Sequence, residues 1–127
     1  MFKRIDHIEI VPKDPEATIN FYVEILGFKL KSRTTVNLEP MTEVIFLELG
    51  DTRIEVIAVK APQPTVDAPW RVGYRAIALE VEDMAQAVAH LKSHNVAFAV
   101  DPLDVGGSLR GEIHDPDGLI IELRQWM

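Results

Sequence analysis

His7 sits in the run Ile5-Asp6-His7-Ile8-Glu9-Ile10-Val11, where Ile8 and Ile10 alternate with His7, Glu9 and Val11. That is the period of a strand with two unlike faces. One face can pack on a helix, while the other carries an imidazole and a carboxylate, groups able to bind metal or move a proton. Two more carboxylates stand alone in apolar runs, Glu55 between Ile54 and Val56 and Glu122 between Ile121 and Leu123. An ionised carboxylate in such surroundings is costly to bury unless paired, and a cation is one suitable partner. The plain alternative is that both glutamates face water and that His7 is an ordinary strand residue. The elements that hold these three side chains decide between the two.

The chain of 127 residues suits one compact domain with a substantial core. With 47% hydrophobic and 26% charged residues it has the composition of a folded, soluble protein. It has no cysteine, which excludes disulfides, thiolate metal sites and a cysteine nucleophile. No apolar run is long enough to span a bilayer and no signal-peptide pattern opens the chain, so a cytoplasmic protein without a membrane partner is expected. The net charge of −7 comes without a basic cluster, which argues against a nucleic-acid partner.

In chain order, the first strand is followed by Pro12-Lys13-Asp14-Pro15, a turn in which Asp14 can cap a helix and Pro15 fits its first position. The helix is expected over residues 16–26, with Ile19, Tyr22, Val23 and Leu26 as its apolar face and Gly27 as its stop. Strands follow over 28–36, 42–49 and 52–59, with a turn at 37–40 and a Gly50-Asp51 hairpin turn between the last two. Residues 61–72 form a linker with three prolines, in which Trp70 should find a packing partner. The pattern then repeats: a strand over 74–81, a helix capped by Asp83 with Met84, Val88 and Leu91 inward and Asn95 as its stop, and strands over 96–100, 109–114 and 119–124. Asp115-Pro116-Asp117-Gly118 makes a tight turn before the last strand.

Two βαβββ units in one chain predict an α+β fold. Residues 1–60 form the first module and 73–127 the second. The register supports a duplication: His7 lies seven residues before Asp14, and Ala76 lies seven before Asp83. His7 thereby pairs with Ala76, and Glu55 with Glu122. If the modules pack about a pseudo-twofold axis, His7, Glu55 and Glu122 meet on one concave face and can hold a divalent cation with positions left open for substrate.

Asp6-His7-Ile8, Phe21-Tyr22 with Ile25-Leu26-Gly27-Phe28, and Asp115-Pro116-Asp117-Gly118 leading to Ile121-Glu122-Leu123 together resemble the vicinal oxygen chelate superfamily. That group includes glyoxalase I, methylmalonyl-CoA epimerase, extradiol dioxygenases, fosfomycin-modifying enzymes and bleomycin-binding proteins. The resemblance implies a U-shaped sheet around a metal cleft and a homodimer acting on a small-molecule substrate. Its ligand positions fall on His7, Glu55, Ala76 and Glu122. Ala76 cannot bind metal, so His7, Glu55 and Glu122 are left, a set that suits manganese, iron(II), nickel, cobalt or zinc. The implied activity is a lyase or isomerase of glyoxalase or epimerase type, with enediolate stabilisation by the metal and proton transfer by Glu122 or Glu55. The alternatives are a non-catalytic binder of a bleomycin-like drug and, with a poorer ligand set for it, a dioxygenase.

Other residues have two readings. Glu9 shares a face with His7 and could orient it or move a proton, or could face water. His90 and His94 share a helix face and could bind a surface metal, although a helix C-terminus favours histidine without one. His114 reads as a strand-end residue. Lys29, Lys31 and Arg33 form a stripe that could hold an anionic substrate tail or simply be solvated. Alternation points Arg75 away from the cleft.

Overall fold

Asp14 starts the first helix as its sequence predicts. In a computed structural model describing residues 1–127, its carboxylate accepts hydrogen bonds from the backbone N–H groups of Glu16 (3.1 Å) and Ala17 (3.3 Å). The α-helix α1 (Pro15–Asn20) is followed at once by a π-helical turn over Phe21–Ile25 instead of continuing to residue 26 as expected. Leu26 N–H donates to the Phe21 carbonyl five residues back, and this wider winding moves the inward face. Phe21 and Tyr22, adjacent in sequence, are therefore both buried, while Val23 and Leu26 are only half-buried. Gly27 ends the segment at φ +84°, a left-handed conformation that a Cβ disfavours. Loss of the cap through Asp14→Ala should cost about 1 kcal/mol, read as a lowered midpoint in urea denaturation.

The first compact unit, Met1–Pro64, contains one sheet in the order β1-β4-β3-β2, made of β1 (Ile8–Ile10), β2 (Lys29–Leu38), β3 (Met41–Leu49) and β4 (Thr52–Val59). β1 runs parallel to β4, and the other pairs are antiparallel. The expected first strand, 5–11, shrinks to three residues because it lies at the sheet edge and pairs with β4 only from Ile8 to Ile10. β2 runs on into the expected turn, to Leu38. Ile45, Leu47, Ile54, Val56 and Ala58 line one face of this sheet and are buried, as are Ile19, Phe21, Tyr22 and Phe28 from the helical segment and its exit.

The second unit, Thr65–Met127, has the same order, β5-β8-β7-β6, with β5 (Ala76–Glu80), β6 (Phe98–Asp104), β7 (Ser108–His114) and β8 (Ile120–Trp126). Helix α2 (Met84–Ser93) is capped by Asp83, which accepts from Gln86 N–H at 3.0 Å. Its Met84 and Leu91 are buried, together with Ile113, Ile121 and Leu123 from the sheet. Asn95 stops it at φ +59°. β6 starts at Phe98 and runs past the expected 96–100 to Asp104, through Asp101-Pro102. Proline is tolerated there because β6 is the outer strand of its sheet. The turn at 115–118 is held by the Asp115 carboxylate, which accepts from the N–H groups of Asp117 and Leu119 at 2.9 Å each.

The two ladders confirm the duplication residue by residue. Glu9 stands opposite Glu55 in the first sheet, and Ala78 stands opposite Glu122 in the second. His7, two residues before Glu9, therefore matches Ala76. One strand further in, Phe46 opposes Glu55 and Glu112 opposes Glu122, so Phe46 and Glu112 are also counterparts. No helix in the chain is long and apolar enough to cross a membrane.

Candidate functional site

Parallel pairing of β1 with β4 and strand alternation put His7, Glu9 and Glu55 on one face of the first sheet, opposite the face that carries Ile54 and Val56. His7 Nε2 lies 3.0 Å from Glu55 Oε2 and 3.2 Å from Glu9 Oε2. One ligand atom from each of the three residues falls within 4.8 Å of the others. On the other side of the ring, His7 Nδ1 lies 2.8 Å from Asp6 Oδ2, and Phe46 packs edge-on with ring centroids 5.6 Å apart. Side-chain exposure is graded: Glu55 14%, His7 23% and Glu9 58%, so the cluster is rooted in the sheet and open to solvent at Glu9.

The electrostatics are those of a cation-seeking cluster. The hydrogen bond with Asp6 is the largest influence on His7 and raises its pKa above the ordinary imidazole value; partial burial opposes this, and Glu9 and Glu55 add to it. An imidazole Nε2 can give one proton, yet two carboxylate oxygens converge on it. One imidazole nitrogen and two carboxylate oxygens form a borderline-to-hard donor set suited to a divalent first-row ion, so the residues fit a metal.

Glu122 has different surroundings. In the second unit its Oε1 accepts from Arg110 Nε at 2.6 Å, and its Oε2 accepts from Arg124 Nε (3.2 Å) and Nη2 (3.0 Å). Beside it Glu112, almost wholly buried, accepts from both terminal nitrogens of Arg75 at 3.3–3.4 Å and from Arg110 Nη2. Arg124 Nη1 donates to Ser108 Oγ at 2.9 Å. The structure thus joins His7 to Glu55 and Glu9, and places Glu122 in a lattice of three arginines and two glutamates.

A family model described as the Glyoxalase/Bleomycin resistance protein/Dioxygenase superfamily matches residues 4–123. The chain belongs to that superfamily. It is 34% identical over 122 residues to the uncharacterized protein YaeR of Escherichia coli (strain K12), which spans 95% of each chain. It is 31% identical over 124 residues to the lactoylglutathione lyase of Escherichia coli O157:H7, covering 94% of this chain and 90% of that one. The crystal structure of the glyoxalase family protein from Enterococcus faecalis superposes with a TM-score of 0.81 at 30% identity, over 97% of this chain and 98% of the other.

Two expectations for this superfamily member change in the structure. Arg75 does not turn away from the Glu122 face: it precedes β5, where strand alternation does not yet bind it, and its guanidinium reaches Glu112 while lying 4.2 Å from the Trp70 ring centre. That stacking is also the partner found for Trp70. Arg33 is not available for an anionic substrate tail, because it grips Glu43 through Nε and Nη2 at 2.8 Å each and Glu16 through Nη2 at 2.6 Å. Lys29 and Lys31 are exposed, as are His114 and the His90/His94 pair, whose tilted rings lie with centroids 4.6 Å apart at the C-terminal end of α2. Glu112 is the charged residue that sequence reasoning missed. Its two-residue spacing from Arg110 on a strand was the available signal.

Proposed function

We propose that the chain is a metal-dependent lyase or isomerase of glyoxalase or epimerase type, acting on a small oxygenated substrate. The observation that carries this reading is the convergence of Glu55 and Glu9 on Nε2 of His7, a nitrogen with one proton to give. A bound divalent cation (zinc, nickel, manganese, cobalt or iron(II)) would supply Lewis acidity, making the C–H next to chelated substrate oxygens more acidic. His7 and Glu55 are the ligands the first module offers. Two glutamates compete for the third position: Glu122 by the repeat, and Glu9 by its place beside His7. Glu55 and Glu122 are the candidates to take the substrate proton and return it, a task for a carboxylate within hydrogen-bond reach of the reacting carbon. Phe46 holds the His7 ring edge-on, and Asp6 at Nδ1 orients it. The same reading has the chain work in the cytoplasm as a homodimer. Similarity to a lactoylglutathione lyase supports the lyase class.

Protein purified without chelators and soaked in divalent cations should hold stoichiometric metal by elemental analysis, and His7→Ala should lose it. Native protein that takes up no metal would remove the enzyme reading in favour of a binding protein.

A further inference from the structure

We infer that the third protein ligand is Glu9, so that the metal site is completed by one module through His7, Glu9 and Glu55, while Glu122 stays with its arginines. This rests on the metal-dependent reading above and names its ligand set.

Geometry carries the first part. Ligand atoms about 2.1 Å from a common ion sit about 3–3.4 Å from one another in tetrahedral or octahedral arrangements. His7 Nε2 already lies 3.0 Å from Glu55 Oε2 and 3.2 Å from Glu9 Oε2. Glu9 and Glu55 are registered partners across the β1–β4 ladder and His7 precedes Glu9 by two residues, so one ligand atom from each falls within 4.8 Å of the others. Asp6 against Nδ1 leaves Nε2 as the free ligating nitrogen.

Charge carries the second part. Around His7 stand three carboxylates, from Asp6, Glu9 and Glu55, each ion-paired with His7; Arg53 and Arg4 act on Asp6 only at longer range. Around Glu122 and Glu112 stand Arg75, Arg110 and Arg124, so that face is already neutralised, with one positive charge in excess. A divalent cation is attracted to the first group and repelled from the second. Recruiting Glu122 would also strip its oxygens from Arg110 and Arg124.

The duplication carries the third part. The second-module counterparts of His7 and Glu9 are Ala76 and Ala78, so both first-strand donors are absent there together. The counterpart of Phe46, which packs on His7, is Glu112, which binds arginine. The second module has an ion-pair lattice where the first has two donors, Glu9 on β1 and His7 just before it.

Cobalt(II) and zinc titrations of the full-length chain, followed by cobalt d–d absorption and by calorimetry, test this. Glu9→Gln should weaken binding at least about 100-fold, beyond the loss usual for an outer-shell partner, and should change the cobalt spectrum. Glu122→Gln should bind within about 3-fold of the parent with an unchanged spectrum, a difference of about 0.6 kcal/mol. Glu9 is exposed on the sheet, so Glu9→Gln is expected to fold, and that arm decides by itself if Glu122→Gln does not. Parent-like affinity in Glu9→Gln overturns the inference and leaves the metal reading standing, whereas a parent chain that binds neither ion overturns both.

Discussion

Replacing Glu112 by alanine is expected to destabilise the second module by about 3 kcal/mol, the lower end of the cost of breaking a buried ion pair. The Glu112 side chain is only 6% exposed and accepts from Arg75 and Arg110. Removing it leaves two guanidiniums beside a hole, and Arg75 Nε is already buried without a hydrogen-bond partner. Arg75 and Arg110 keep 28% and 23% of their side-chain surface in water, and this hydration holds the loss to the low end of the range. Both tryptophans of the chain, Trp70 and Trp126, belong to this unit, so their fluorescence in urea reports its unfolding.

The same residue makes the module acid-sensitive. Burial alone would raise the Glu112 carboxyl, but hydrogen bonds from Arg110 and Arg75 outweigh it and hold the pKa below the usual glutamate value. A carboxyl whose folded pKa is depressed contributes stability that is present above its unfolded pKa and is lost as pH falls through the folded value. Glu112→Gln should therefore flatten the acid limb of the stability profile while keeping the shape of the side chain. A Glu112→Ala midpoint equal to that of the parent would show that hydration fully replaces the lattice.

Tyr22→Ala should cost the first module about 3–5 kcal/mol, the range for emptying a large aromatic site in a core. Tyr22 has no exposed surface and sits edge-on to both Phe21 and Phe28, with ring centroids 5.5 Å away in each case. Such edge-to-face pairs add to the energy of burial. Its neighbours come from the π-helical turn and from the entry to β2, two backbone segments that cannot easily close over a void. This unit contains no tryptophan, so amide hydrogen exchange along β3 and β4 is the measurement. A loss of protection worth less than about 1 kcal/mol would mean that the core refills the site.

Local signals in the chain determined most of the architecture. Aspartate before an apolar period, glycine after it and alternation between turn residues are properties of short segments. Asp14, Asp83, Gly27 and Asn95 accordingly act where their sequence context places them. The repeat was legible for the same reason, and the ladders that pair Glu9 with Glu55 and Ala78 with Glu122 confirm the matching of His7 to Ala76. The π-helical turn and the run of β6 through Pro102 were not legible. The first depends on which face of the helix meets the sheet, and the second on β6 being an outer strand.

The site divides in the same way. Residue types and the repeat were enough to make His7, Glu55 and Glu122 candidates and to pair His7 with Ala76. Which charges surround each carboxylate was decided only by tertiary structure, because a cross-strand neighbour such as Glu43 beside Arg33, or Arg110 beside Glu122, is set by hairpin register rather than by distance along the chain. Glu55 meets an imidazole and another carboxylate, whereas its repeat partner Glu122 meets two arginines. The two glutamates are equivalent by sequence and unlike in chemistry, since the electrostatics of a side chain belong to the groups that the fold brings around it.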